Sequence, residues 1–308
     1  MNKRCTVVTA TLLTAAVIPS WGQTVRPATE SASGGTPSIA FTPDFSGIWA
    51  HPYTPGFEPP PSGPGPVMKR VVRLPSGIVS PAMVGDYTNP ILKPQASDVV
   101  KKRGEMELSG LHAPNPHADC WPQGVPFAFF NYAMQMLQQP HQITILYPQN
   151  NEVRHVRMNQ SHPVRLTPSW QGDSVGRYQG DMLVIDTVGI KSDRPLAMVD
   201  FFGTPHTQAL HVVERYRLID YGAAKEALQR IESQRFQPSV LVPDPDYKGK
   251  HLQLEFTVED DGVFTTPWSA TITYGRALDL TRENICAENP DISVGGKEAV
   301  PHVDKPDF

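Results

Sequence analysis

Carboxylates set at alternate positions among apolar residues are the first feature of this chain that points to chemistry. In the run from His211, the residues Val212, Glu214, Tyr216 and Leu218 share one face of an extended strand, so a carboxylate and a phenol stand together among apolar neighbours. Asp186 stands in the same way between Val184 and Val188. A carboxylate removed from water tends to a raised pKa, which suits a general acid or base. The alternative is structural: carboxylates satisfied by Arg or by backbone donors.

Histidines and arginines extend the candidate set. His162 follows Met158-Asn159-Gln160-Ser161 and precedes Pro163, a loop position from which an imidazole reaches a ligand at a barrel mouth. His206 is a second loop candidate, with ordinary loop hydrogen bonding as the plain alternative for both. On an extended chain His206 and His211 fall on opposite faces, so they do not share one metal ion. Arg154, Arg157 and Arg177 suit two-pronged recognition of a carboxylate, or simply the surface. Tyr178, Trp268 and Tyr274, with Phe256, supply aromatic area for a pocket or for the core. Gly172-Asp173-Ser174-Val175-Gly176 fits G-x-S-x-G, but a nucleophile elbow needs a strand before the Ser and a helix after it, and here a hairpin follows. The chain has no H-E-x-x-H and no Gly-rich phosphate loop, so neither a metal nor a nucleotide cofactor is expected.

The elements that carry these residues read as strands. Ile143–Tyr147 and Val153–Met158 flank a polar turn, and Ser174–Tyr178 and Leu183–Val188 flank Gln179-Gly180-Asp181; both are hairpin patterns. His211–Asp220, Leu252–Val258 and Trp268–Tyr274 continue the series, and Phe45–Ala50 gives an earlier strand. Leu252, Leu254, Phe256 and Val258 share one face against Gln253, Glu255, Thr257 and Glu259 on the other, the mark of a half-buried sheet. At least seven strands at hairpin spacing predict a mostly β fold, an antiparallel meander forming a calycin-like closed or nearly closed barrel. Within Gly222–Gln237, Ala224, Leu228 and Ile231 recur at helical spacing and predict a short inserted helix. A further short helix is allowed over Ala96–Glu107 inside otherwise loop-like sequence.

The N-terminus bounds the setting. Lys3 and Arg4 precede an uncharged stretch from Cys5 to Trp21, the pattern of a secretory signal, with cleavage expected after Gly22. Residues 23–40 are rich in Ser, Thr, Gly, Pro and Ala and read as a disordered leader, leaving 41–308 as a single β-rich domain. A periplasmic protein is expected, with no later run of the roughly 18 to 20 apolar residues that span a bilayer. Without Lys3 and Arg4, 25 of the 27 basic residues remain against 31 acidic ones, so polyanions and nucleic acid are poor partners. The 32 prolines, about a tenth of the chain, imply long loops around the core. Signal removal leaves Cys120 and Cys286, a natural disulfide pair in an oxidising compartment. A reactive thiol or a metal site with His117 and Asp119 is the alternative, although no second nearby Cys completes a ligand spacing.

The run Gly176-Arg177-Tyr178-Gln179-Gly180-Asp181-Met182-Leu183-Val184-Ile185-Asp186-Thr187 resembles a large family of exported, mostly uncharacterised Gram-negative proteins whose run is typically G-R-W-E-G-D-T-L-V-V-D-T. The resemblance extends to Pro43-Asp44-Phe45-Ser46-Gly47-Ile48-Trp49, Cys120–Pro126, His162-Pro163, Pro168-Ser169-Trp170, Pro205-His206-Thr207, Leu210–Tyr216 and Pro267-Trp268. Tyr178, Gln179 and Met182 depart from the family pattern, as does the insertion around Gly222–Lys250. The resemblance implies export and a β-rich fold, and no particular reaction.

These readings combine into an expectation of a cofactor-independent periplasmic lyase or isomerase acting on a small aromatic or apolar acid inside the barrel. Glu214 or Asp186 would move a proton, Tyr216 would assist and an Arg would anchor the anion. The rival expectation is a lipocalin-like binding protein for an apolar small molecule. A third, an envelope interaction module, expects a barrel filled by side chains with Glu214 and Tyr216 turned outward. Substrate identity and oligomeric state are open at this level.

Overall fold

The computed structural model describes residues 42–111, 113–193, 196–233, 241–278 and 285–286. The segments read as signal (1–22) and leader (23–40) lie outside the described residues. Nine strands close a barrel in sequence order: β1 (Gly47–Ala50), β2 (Ala133–Gln138), β3 (Gln142–Tyr147), β4 (Glu152–Met158), β5 (Asp173–Gln179), β6 (Met182–Val188), β7 (His211–Ile219), β8 (His251–Glu259) and β9 (Trp268–Arg276). Closure runs through β1 and β9, where Trp49 faces Arg276 in the register. A closed sheet leaves no unpaired edge.

The expected strands form, and one that the sequence reading passed over, β2, joins them. Its Ala-Met-Gln-Met-Leu-Gln has the right alternation but few β-branched residues, so local propensity is silent there. The meander is also not wholly antiparallel: β4 and β5 pair in parallel, Val156 opposite Ser174 and Met158 opposite Gly176. A parallel joint needs a crossover, and residues 159–172 supply it by returning over the outside of the barrel. Between β5 and β6 the turn uses Gly180 at φ +63°, a conformation open to glycine.

Alternation sorts the strand residues cleanly. Leu252, Leu254, Phe256 and Val258 are buried inside, as are Trp268, Ala270, Ile272 and Tyr274 opposite them. Phe57 and Phe129 enter from the loops and meet Phe256 at ring separations of 4.9 Å each, and Phe57 stacks on Phe130 at 4.0 Å. The barrel centre is a packed aromatic and aliphatic core.

Two α-helices lie outside the wall, where one inserted helix was expected with a second allowed. The first, α1 (Pro94–Leu108), buries Ala96, Val100 and Gly104, one helical face at spacing four. Gly104 permits the close approach, because a Cβ there would come within 2.8 Å of the Val84 side chain. The second, α2 (Tyr221–Ser233), covers the expected insertion and buries Ala224, Ala227 and Ile231; its expected last turn, to Gln237, lies outside the described residues. Cys120 and Cys286 are bonded, their Cα atoms 5.3 Å apart. Among the described residues, no helix is long and apolar enough to cross a membrane.

Candidate functional site

The sequence candidates fall into two clusters on opposite sides of the barrel wall. Strand alternation decides which is which: Glu214 lies opposite Ile185 and Asp186 lies opposite Val213, so the two carboxylates point in opposite directions. They do not share a site. Glu214 and Asp186, expected as alternative proton-moving groups, therefore belong to separate environments.

Inside the barrel, Arg154 from β4 reaches Glu214 on β7. Nη1 donates to Oε2 at 3.0 Å and Nη2 to Oε1 at 2.5 Å, and both side chains are essentially without solvent exposure. The intervening strands supply hydroxyls beneath the guanidinium: Nε donates to Ser174 Oγ at 3.0 Å and Nη2 to Thr187 Oγ1 at 2.6 Å. Tyr216 donates its hydroxyl to Glu214 Oε2 at 2.8 Å. Burial alone would pull the Arg154 pKa down, but the Glu214 charge outweighs it and holds the guanidinium above its ordinary value. Burial and the adjacent Glu214 charge push the Tyr216 phenol well above 10. Tyr274 is raised likewise by burial, and Tyr147 is pushed up to about 12 by burial against the pull of Arg154. The polar atoms of the Arg154–Glu214 pair are turned on one another. Ser174 is buried inside this network on a strand and hairpin, with no helix after it, as the elbow argument expected.

On the outer face, the crossover lays His162 over β5 and β6. Its Nδ1 lies 2.6 Å from Asp173 Oδ1 and its Nε2 3.0 Å from Asp186 Oδ1. His211 brings its Nε2 within 3.0 Å of the same Asp186 oxygen and its Nδ1 within 3.5 Å of Glu259. Arg157 grips both oxygens of Asp173, at 2.7 and 2.9 Å. The chain Arg157, Asp173, His162, Asp186, His211, Glu259 therefore alternates nitrogen-bearing and carboxylate side chains along the outer face. Asp186 is not raised, as its apolar sequence neighbours suggested, but lowered, first by the hydrogen bond from His211 against an opposing effect of burial. His211 is correspondingly raised, first by that bond to Asp186. Both nitrogens of both rings already face carboxylates, so the cluster fastens the crossover to the barrel. Among the described residues, no three His, Cys, Asp or Glu side chains form a metal-holding group.

The remaining candidates separate further. His206 is buried in a turn, its Nδ1 3.2 Å from the Thr207 carbonyl. Arg177 is exposed, and Tyr178 stacks on Phe45. Trp268 packs against Phe256 and Phe264, and Tyr274 meets the His51 ring edge-on at 4.9 Å, so both belong to the core.

A pocket of about 650 Å3 lies outside the barrel, and no strand residue lines it. Its walls come from α1 (Arg103, Glu107, Leu108), the Pro-rich arm (Tyr53, Leu74, Met83), the loop residues Gly110, Leu111, Asn115, His117 and Ala118, and Phe201. His117 and Asn115 face it from that loop. Arg103 braces the walls: Nε donates to the Phe201 carbonyl at 3.2 Å, Nη1 to Pro114 at 2.5 Å and Nη2 to Ala113 at 2.9 Å. Burial pulls the His117 pKa down to about 4, so the ring is neutral at physiological pH. The sulfur of Cys120, with which His117 and Asp119 could have formed a metal site, is taken up in the disulfide. No local pattern announced the pocket, because its walls are separated in sequence by tens of residues of loop.

Comparison of the chain with protein-family models, with curated proteins and with solved structures found no match. What the clusters and the pocket can do follows from their own geometry.

Proposed function

We propose that this protein is an exported binding protein that holds an uncharged apolar small molecule in the pocket between α1, the arm and the loop residues 115–118. The observation that carries this is the pocket itself: about 650 Å3, walled mainly by apolar side chains with a few polar groups, within the ordinary range of about 300 to 1,000 Å3 for small-molecule sites. The acid–base enzyme is the weaker reading, because Glu214 is held by Arg154 and Tyr216 and Asp186 by two histidines, leaving neither carboxylate turned toward a substrate. Export to the periplasm is supported by the signal-like N-terminus, by the resemblance to exported proteins and by the Cys120–Cys286 bridge, which persists in oxidising compartments.

The test is titration with the neutral fluorescent probe N-phenyl-1-naphthylamine, comparing wild type with Ala118→Trp, which places an indole at the pocket wall. Saturable one-to-one binding that Ala118→Trp abolishes is expected. Absence of saturable binding, or binding indifferent to the substitution, removes the proposal.

A further inference from the structure

Resting on the pocket being a binding site, we infer that its occupant is a neutral molecule carrying an alcoholic or phenolic hydroxyl, held by His117 and Asn115, and that the site refuses carboxylates. His117 lines the pocket, with the rings of Tyr53 at 6.0 Å and Phe201 at 6.1 Å beside it. It has no hydrogen-bond partner among the described residues. A neutral imidazole carries one N–H donor and one nitrogen acceptor, and leaving both unmade in a half-dry site is costly.

Asn115 stands two residues earlier and is 5 % exposed. Its Oδ1 accepts the Ala118 backbone N–H at 3.0 Å, which fixes the orientation of the amide. The NH2 end is left without an acceptor among the described residues. The wall therefore offers one acceptor on His117, and donors on His117 and Asn115. A hydroxyl gives one proton and receives others, and so matches the donors and acceptor of this set.

Anions meet the opposite conditions. Among the described residues lining the wall, the one guanidinium, that of Arg103, has its Nε and both Nη atoms directed at backbone carbonyls. Glu107 adds negative charge on the same wall. His117, held neutral by burial, brings no compensating positive charge. A carboxylate would lose its hydration facing a guanidinium whose Nε and Nη atoms are already engaged by backbone carbonyls and that stands beside Glu107. On this inference the ligand is an aromatic or apolar alcohol in place of the small aromatic or apolar acid expected from the sequence.

Naphthalene, 2-naphthol and 2-naphthoate share one ring system and differ in the head group, so their competition against N-phenyl-1-naphthylamine reads the head group alone. In wild type, 2-naphthol should bind about fivefold more tightly than naphthalene, the worth of one net neutral hydrogen bond, and 2-naphthoate more weakly than either. In His117→Phe, which keeps a ring and removes both nitrogens, the ratio between naphthol and naphthalene should fall to about one. If that variant does not fold by near-ultraviolet circular dichroism, His117→Ala is measured instead. Naphthol binding no tighter than naphthalene in wild type, or a ratio that survives loss of the imidazole, overturns the inference while leaving the pocket in place. Failure of all three compounds and of the probe itself removes the binding reading with it.

Discussion

Arg154 and Glu214 face each other across the barrel interior with two parallel hydrogen bonds, although two whole strands separate them in the sheet. Such a pair is strongly destabilising to break on one side only, because the surviving charge stays buried, whereas replacing both partners with apolar groups is often neutral. Arg154→Met or Glu214→Leu alone should cost about 3 to 5 kcal/mol, and the double substitution much less than their sum. Urea unfolding followed by tryptophan fluorescence measures all three. Single substitutions within 1 kcal/mol of wild type would show that the pair is not a structural unit.

The outer cluster gives a stability profile with two limbs. Asp186 is lowered, so its contribution is present above its unfolded pKa and lost as pH falls through the folded one. His211 is raised, so its contribution is present below its unfolded pKa and lost as pH rises through the folded one. The two overlap between about pH 4 and about pH 6.5. Thermal unfolding of Asp186→Asn should lie furthest below wild type in that window and converge with it on both sides. A difference in Tm that is flat with pH would refute the coupling.

Asp200 behaves in the reverse sense. Its carboxyl is buried and accepts the Phe202 and Thr204 N–H groups at 2.9 and 3.1 Å, and burial pushes it up to about 6. Its stabilising protonated form is present below the unfolded pKa and is lost as pH rises through about 6. An Asn carbonyl accepts the same two bonds without a charge. Asp200→Asn is therefore expected to raise stability by about 1 to 3 kcal/mol at pH near 8, with the gain vanishing toward pH near 4. A loss of stability at the higher pH would contradict this.

The Cys120–Cys286 bridge closes a loop of 166 residues. In the chain-entropy model a loop of that order is worth about 4 to 5 kcal/mol. Cys286→Ser should lower the urea midpoint accordingly, and dithiothreitol should lower wild type to the level of the variant without moving the variant further. Equal midpoints for reduced and oxidised wild type would deny the bridge any structural weight.

Period-two alternation was readable directly, and it placed Glu214 and Tyr216 on one face and named eight of the nine strands, because side-chain direction along a strand is a local property of the backbone. The pairing of Cys120 with Cys286 followed equally from counting thiols. Alternation could not say that Asp186 and Glu214 face opposite sides of one wall, since that depends on the register between β6 and β7, which only the closed sheet sets. Alternation did put Arg154 and Arg157, three residues apart on one strand, on opposite faces, but it could not show that the inward one meets Glu214 and the outward one Asp173. The pocket belongs wholly to tertiary structure. Tyr53, Arg103, His117 and Phe201 carry no shared pattern in the chain, and they converge only because helix, arm and loop pack against one another outside the barrel.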